Sequence, residues 1–319
     1  MILMRFAVLT SGGDAPGMNA AIRAVVRAAL SGGHTIYGIY DGFRGLVEGK
    51  FQKLTRSDVS ETLNRGGTLL GTARLPEFNE LSFQKMAVKQ LENRGIHGLI
   101  VIGGDGSYRG AMALSELGIP CVGIPGTIDN DIANTDFTIG FSTALSTAVD
   151  AIDKLRDTSS SHQRCSVIEV MGRNCGDLAL FSGICCGAEY IITKDTGLDK
   201  QHLLESLKEN RLDGRRHAIV VIAEMITDVH ELAKEIEEYS GYECRATVLG
   251  YVQRGGIPTP EDRMLASRMG AYAIELLEQG IYGCAVNIHH NKLGYVEFAS
   301  ALNHSKSSRE ILALVNKIQ

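Results

Sequence analysis

Short apolar runs rich in β-branched residues alternate with helix-like segments along this whole chain, and few folds accept that pattern. The runs at Phe6–Thr10, Thr35–Tyr40, Gly98–Ile102, Cys121–Ile124, Ser166–Met171, Tyr190–Thr193, Ala218–Ala223 and Ala246–Tyr251 read as strands. Helical spacing of apolar positions predicts helices over Met18–Leu30, Phe83–Arg94, Tyr108–Leu117, Ser142–Asp157, Lys200–Glu209, Val229–Tyr239 and Pro260–Gln279. Strand and helix in alternation predict an α/β fold, a mainly parallel sheet flanked by helices. The polar segment Asp157–Arg164, D-T-S-S-S-H-Q-R, reads as a loop or frayed helix end at a cleft.

A chain of 319 residues can form two lobes that share a cleft. A net charge of −5 argues against general binding to nucleic acid or to a membrane surface. No apolar run approaches the length of a membrane span, and the start lacks a cleavable signal pattern, so a cytoplasmic location is expected. Seven cysteines without a C-x-x-C pair disfavour structural zinc and a disulfide framework, and fit a reducing compartment. Cys185 and Cys186 sit in an apolar stretch and are expected in the core. His289 and His290 are read as a solvated strand end rather than as metal ligands.

Three loops carry chemistry. The stretch P-G-T-I-D-N-D, Pro125 to Asp131, follows a short apolar strand that Pro125 and Gly126 are expected to end. Its carboxylates, Asp129 and Asp131, therefore fall at a carboxyl strand edge, where open α/β sheets bind ligands. Acids beside a glycine suit either a metal or a proton transfer. Two further strands each run into G-G-D, at Gly12–Asp14 and Gly103–Asp105, before a helix. Glycine lets a backbone approach phosphate, and a helix start favours anions. Neither is a Walker A loop, and Gly104, Gly106 and Gly110 are out of step with a dinucleotide loop. An aspartate in a phosphate loop calls for a cation, which points to Mg²⁺ at Asp105.

Arginines are the second signal. Arg23 and Arg27 lie four apart on one helix, a mildly repulsive spacing. Arg74 follows L-G-T-A, while Arg164, Arg173, Arg245 and Arg254 stand at or near predicted strand ends. Arg215, Arg216 and His217 form a short basic cluster. In an acidic protein such a set suggests phosphate recognition by guanidinium forks.

From L-T-S-G-G-D-A-P-G-M-N-A through G-G-D-G-S, P-G-T-I-D-N-D, M-G-R and A-T-V-L-G-Y-V-Q-R-G-G, the chain resembles the ATP-dependent 6-phosphofructokinases of bacterial type. The resemblance implies two Rossmann-like three-layer lobes with the active site in the cleft between them. Residues 1–140 with 253–303 would form the larger, ATP- and Mg²⁺-binding lobe. Residues 141–252 with 304–319 would form the smaller, fructose 6-phosphate-binding lobe. Asp129 would be the general base on the 1-hydroxyl of fructose 6-phosphate, supported by Thr127 and Asp131, with Arg74 and Arg173 neutralising the transferring phosphoryl group. Gly13, Arg74, Leu75, Gly104, Asp105, Gly106 and Ser107 would surround Mg-ATP, with Asp105 on the metal. Thr127, Ile128, Asp129, Met171, Gly172, Arg173, Glu224, Tyr251, Val252, Gln253 and Arg254 would hold the sugar phosphate. Arg164 and Arg245 would join them across a subunit interface of a homotetramer.

The resemblance also implies an intersubunit site for ADP or phosphoenolpyruvate, formed by Arg23, Arg27, Arg56, Arg156, Gly187, Glu189, Arg215, Arg216 and His217. Three positions depart from the family pattern. Tyr251 stands where a histidine usually meets the 6-phosphate, Asn79 where an arginine often flanks the nucleotide, and Asp213 where a basic residue is common. Pyrophosphate-dependent relatives differ by an acidic residue at position 106 and a lysine at 126. Gly106 and Gly126 are therefore expected to leave room for the larger ATP. A non-catalytic sensor of the same fold would not need Asp105 and Asp129 together, and a dehydrogenase would need the G-x-G-x-x-G spacing that is missing.

Overall fold

The structure, a computed structural model, describes residues 3–303 and 309–318. In chain order the first elements are β1 (Arg5–Thr10), α1 (Met18–Ser31), β2 (Thr35–Ile39), α2 (Gly42–Glu48), β3 (Phe51–Lys53) and α3 (Leu81–Asn93). Next come β4 (Gly98–Gly103), α4 (Asp105–Glu116), β5 (Cys121–Thr127), β6 (Ile139–Gly140), α5 (Phe141–His162), β7 (Arg164–Val170) and α6 (Asp177–Cys185). They are followed by β8 (Tyr190–Ile192), α7 (Lys200–Leu212), β9 (Ala218–Ala223), α8 (Val229–Ser240) and β10 (Glu243–Val248). The last are α9 (Pro260–Glu278), β11 (Cys284–His289), β12 (Lys292–Glu297), α10 (Phe298–Ala301) and α11 (Arg309–Ile318). Two compact units result, one from Met1–Thr143 with Arg254–Lys306, the other from Ala144–Gln253 with Ser307–Gln319. Residues 304–308 and 319 of the smaller lobe expected from sequence lie outside the described residues.

The first unit is built on a sheet ordered β12-β11-β5-β4-β1-β2-β3, with β6 added beside β5. Its central strands are parallel, and the antiparallel strands β3 and β12 close the edges. One face packs Ala7, Leu9, Leu99 and Val101 against Phe43, Leu91, Tyr108 and Leu114 of α2, α3 and α4. Helices α1 and α9 pack on each other, with α9 also meeting β5. The chain turns one way from β1 to β2 and the other way to β4 and β5. The loops after β1 and β4 therefore flank the switch point, where such sheets bind ligands.

The second unit has an all-parallel sheet ordered β10-β7-β9-β8. Its core places Cys165, Val167, Val220, Ile222 and Cys244 under Leu203 and Leu207 of α7 and Leu232 and Ile236 of α8. Both units are parallel sheets flanked by helices.

Several expectations need correction. β5 does not stop at Pro125 but runs on through Thr127. Pro125 falls between the last β11 pairing, at Gly123, and the first β6 pairing, at Gly126, so its missing N–H interrupts no ladder there. The segment Asp157–His162 is helix, not loop. Its serines are absorbed: Ser161 Oγ donates to the Asp157 carbonyl at 2.9 Å, and buried Ser159 bonds Ser166 of β7 at 2.7 Å. β10 begins three residues before the predicted strand and ends at Val248, after which Gly250–Arg254 form a 3-10 turn. Cys185 is exposed and only Cys186 is buried. The histidine pair does lie at an exposed strand end: His289 ends β11 and His290 opens the hairpin turn, where Asp136 accepts from His290 N–H at 2.8 Å and bonds the His289 ring at 2.9 Å. The sequence also hid β3, β6, α2, α6 and the β11–β12 hairpin.

Candidate active site

In the first unit the three chemical loops leave the carboxyl ends of β1, β4 and β5, which are neighbours in the sheet. They touch. Ser11 N–H donates to the Ile102 carbonyl at 3.0 Å, and a Cβ on Gly104 would lie 3.6 Å from that of Thr127. A Cβ on Gly13 would lie 2.4 Å from Nη1 of Arg254, so the guanidinium rests directly on the first glycine loop. Gly106 faces open space, whereas a Cβ on Gly126 would meet Ile102 at 3.0 Å and Met18 at 3.2 Å. Of the two glycines expected to leave room for a nucleotide, only Gly106 does so. Gly126 is needed for packing inside β5.

The P-G-T-I-D-N-D loop is held from within. Thr127 Oγ1 accepts from Asp129 N–H at 3.2 Å, and the Thr127 carbonyl accepts from Thr138 Oγ1 at 2.7 Å. Asn130, in the left-handed region at φ 53°, accepts from Thr138 N–H at 3.0 Å. This folding buries Asp129 to 5% exposure and Ile128 to 3%, while Asp131 is half-buried. Asp105 opens α4, where a carboxylate favours the helix dipole, and Arg109 Nη1 stands 3.6 Å from it. Ser107, two residues further along, is buried.

Arg74 and Leu75 follow a loop pinned at many points. Asn19 Nδ2 donates to the Arg65 and Gly66 carbonyls at 3.1 Å, and its Oδ1 accepts from Leu69 N–H at 2.7 Å. Thr10 Oγ1 donates to the Gly71 carbonyl and Thr72 Oγ1 to that of Gly12, both at 2.8 Å. Arg44 then holds the Arg74 carbonyl at 2.8 Å, leaving the Arg74 side chain exposed. Arg23 and Arg27 lie part-buried on α1, and burial followed by the charge of Arg27 lowers the Arg23 pKa. Arg56 is exposed.

In the second unit, Gly172 and Arg173 turn back with φ of 142° and 52°, and both N–H groups donate to Glu224 Oε1, at 3.2 and 2.8 Å. Gln253, fully buried, accepts from Met171 N–H at 3.4 Å and donates to the Gly250 carbonyl at 3.1 Å. A pocket opens here, lined by Glu169, Val170, Met171, Glu224, Val248, Gly250 and Tyr251. Tyr251 and Val252 are largely exposed.

Arg164 and Arg245 are not part of this group. They stand at the amino ends of β7 and β10, about 20 Å of strand away from Met171. There Arg164 pairs with Glu243 at 2.9 Å, and Arg245 with Glu243 at 2.5 Å and Glu237 at 3.5 Å. Near the same sheet, Arg156 bonds the Cys186 carbonyl and stands 3.4 Å from the His217 ring, and Glu189 accepts from Ile219 N–H at 2.6 Å. The Gly187 carbonyl lies 3.5 Å from Arg156, while Arg215 and Arg216 are exposed. Sequence reasoning missed Asn19, Asn130 and Thr138, which hold the loops of the site by hydrogen bonds. Asn19 and Asn130 carried a signal, their place beside the first G-G-D motif and inside T-I-D-N-D, whereas Thr138 carried none.

Glycine loops at a switch point, a buried carboxylate beside them and a second carboxylate opening a helix define an α/β phosphotransferase. A sequence model described as Phosphofructokinase matches residues 5–277. The chain is 56% identical to an ATP-dependent 6-phosphofructokinase of Photobacterium profundum over 319 residues, 99% of this chain and 100% of that one. It is 54% identical to one of Aliivibrio fischeri over 310 residues, 97% of each. Phosphofructokinase from Saccharomyces cerevisiae superposes with a TM-score of 0.88 at 34% identity, over 99% of this chain and 46% of that one. The chain thus spans about half of the yeast chain's length. A pyrophosphate-dependent phosphofructokinase of Marinobacter aquaeolei, 19% identical, shares the fold with a TM-score of 0.85 over 95% of this chain and 84% of that one. The chain belongs to the phosphofructokinase family, kinases that phosphorylate fructose 6-phosphate in glycolysis.

Proposed function

We propose that this chain transfers the γ-phosphoryl group of Mg-ATP to the 1-hydroxyl of D-fructose 6-phosphate, with Asp129 as general base. The observation that supports this most is the buried Asp129 on a loop whose Thr127 abuts the second glycine loop. Asp129 takes the hydroxyl proton as the oxygen attacks in line. Thr127 fixes the Asp129 backbone, and Asp131 supports the charge of the loop. Arg74 and Arg173 neutralise the charge of the group in flight, which is most of what such catalysis requires. Gly13, Gly104, Gly106, Ser107 and Leu75 lie around the nucleotide. Met171, Gly172, Glu224, Tyr251, Val252, Gln253 and Arg254, with Ile128, hold the sugar phosphate.

Asp105 suits Mg²⁺, an ion that takes one or two carboxylates and completes its shell with water and phosphate oxygens. Among the described residues no cluster of three or more such ligands exists, so most of the shell would come from ATP and water. The ion would neutralise phosphate charge and orient the nucleotide.

Arg164 and Arg245 serve the sugar phosphate of a neighbouring subunit, which requires at least a dimer and fits a homotetramer. Their distance from Met171 in their own sheet favours that reading. ADP or phosphoenolpyruvate binds an effector site made of Arg23, Arg27, Arg56, Arg156, Gly187, Glu189, Arg215, Arg216 and His217. An anion there relieves the Arg23–Arg27 repulsion. The first unit carries Mg-ATP and the second the sugar, in the cytoplasm. Among the described residues no helix is long and apolar enough to cross a membrane.

The test is a coupled assay of fructose 1,6-bisphosphate formation with Mg-ATP or with pyrophosphate. ATP is expected to support turnover and pyrophosphate not to. Turnover with pyrophosphate alone would overturn the choice of donor, and bound ligands without product would make the protein a sensor.

A further inference from the structure

The acceptor pocket contains a carboxylate that no role above uses. Glu169 is the one acidic residue of β7, in the run V-I-E-V just before Met171. Side chains on a strand alternate between faces. Cys165 and Val167 point into the core under α7 and α8, as do Val220 and Ile222 of β9 and Cys244 of β10. The same face therefore carries Glu169, Glu224 and Val248 at the carboxyl edge, one step beyond that core. Register agrees: Val248 stands opposite Glu169, and Ile222, two residues before Glu224, stands opposite it on the other side. Diagonal neighbours of this kind are about 7 Å apart, the spacing of groups that grip opposite sides of one small ring.

The two glutamates are held differently. Glu224 is occupied by the Gly172 and Arg173 N–H groups. No described residue hydrogen-bonds the Glu169 side chain, although it is half-buried and lines the pocket. Partial desolvation of a carboxylate costs free energy, and a ligand hydroxyl would supply a donor once the ligand excludes water. Burial, then the charges of Glu224 and Asp228, push the Glu169 carboxyl above the usual carboxylate range, while His230 at the start of α8 acts against them. That cost is difficult to explain as stabilisation of the fold.

We propose that Glu169 is a specificity-determining residue of the acceptor pocket, taking a ring hydroxyl of the sugar phosphate beside the region that Glu224 shapes. This rests on reading the pocket as the acceptor site. A phosphate group is excluded as its partner by like charge, so the sugar ring, not the 6-phosphate, faces Glu169.

The experiment is steady-state kinetics of wild type, Glu169→Ala and Glu169→Gln with fructose 6-phosphate and its monodeoxy analogues at each ring hydroxyl. With fructose 6-phosphate, Glu169→Ala should raise KM about tenfold while KM for ATP changes less than about twofold. One analogue should lose about tenfold in kcat/KM with wild type and almost nothing further with Glu169→Ala. Glu169→Gln, whose amide can still meet a hydroxyl, should recover part of the loss and guards against misfolding of the alanine variant. If the variant and analogue penalties multiply for every analogue, Glu169 reads no hydroxyl and the proposal is overturned. If wild type itself fails to phosphorylate fructose 6-phosphate, the reading of the pocket as an acceptor site falls first, and the inference with it.

Discussion

Asp129 is 5% exposed, and its own loop allows it little freedom, because Thr127 holds its N–H while Thr138 and Asn130 close the turn behind it. A carboxylate fixed in this way would lose little entropy in serving as the proposed base. Replacing Asp129 by Ser should therefore lower kcat by about 10²–10⁴-fold, the usual contribution of a positioned base. Tyr251 is the reverse case, exposed at the pocket mouth and uncharged. Tyr251→His adds a group that can carry positive charge, and should lower the fructose 6-phosphate concentration at half saturation; an unchanged or higher value would contradict the 6-phosphate contact. At this scale the candidate residues were legible because they lie within motifs. What was not legible is their support. Nothing in the spacing of P-G-T-I-D-N-D says that Thr138, seven residues beyond its end, closes the loop, or that Gly126 is packed against Ile102 and Met18 rather than open.

At the scale of elements, sequence periodicity placed strands well where they are buried on both faces, as β1, β4 and β9 are. It failed where tertiary partners override local preference. The serines that end α5 read as loop residues until their hydroxyls find Asp157 and Ser166. Pro125 reads as a strand end until the sheet is seen to leave it a gap. Two outcomes belong here. Thr138→Val keeps the shape but removes the bond to the buried Thr127 carbonyl, and should destabilise by about 1–3 kcal/mol in a denaturant titration. Glu169→Gln should act oppositely. A carboxyl whose pKa is raised in the folded state favours folding while protonated, and that contribution is lost as pH rises through the raised value. The variant should therefore unfold at a higher temperature than wild type near pH 7, with the difference vanishing below the ordinary glutamate pKa of 4.5. A more stable variant that binds sugar worse is the pattern of a residue kept for function.

At the scale of the whole molecule, the fold class follows from the alternation of strands and helices, but the division into units, between which the chain passes three times, does not; only the family resemblance implied one. The chain leaves the first unit after Thr143 and returns to it at Arg254. The proposed assembly would account for the two arginines, which stand near the amino ends of their own strands, away from Met171. Subunits carrying Arg164→Ser are expected to be nearly inactive alone, as are subunits carrying Asp129→Ser. Refolded together, they should form hybrid sites with an intact base from one subunit and an intact arginine from its neighbour, and regain a measurable fraction of wild-type turnover. A mixture no more active than either parent would mean that each subunit completes its own site. The most direct measurement of the central claim is single-turnover phosphoryl transfer from Mg-ATP by wild type and Asp129→Ser, with fructose 6-phosphate binding measured alongside. The account predicts that the rate falls by at least about 10²-fold while the dissociation constant changes by less than about fivefold. A variant that transfers phosphate at nearly the wild-type rate would contradict Asp129 as the base.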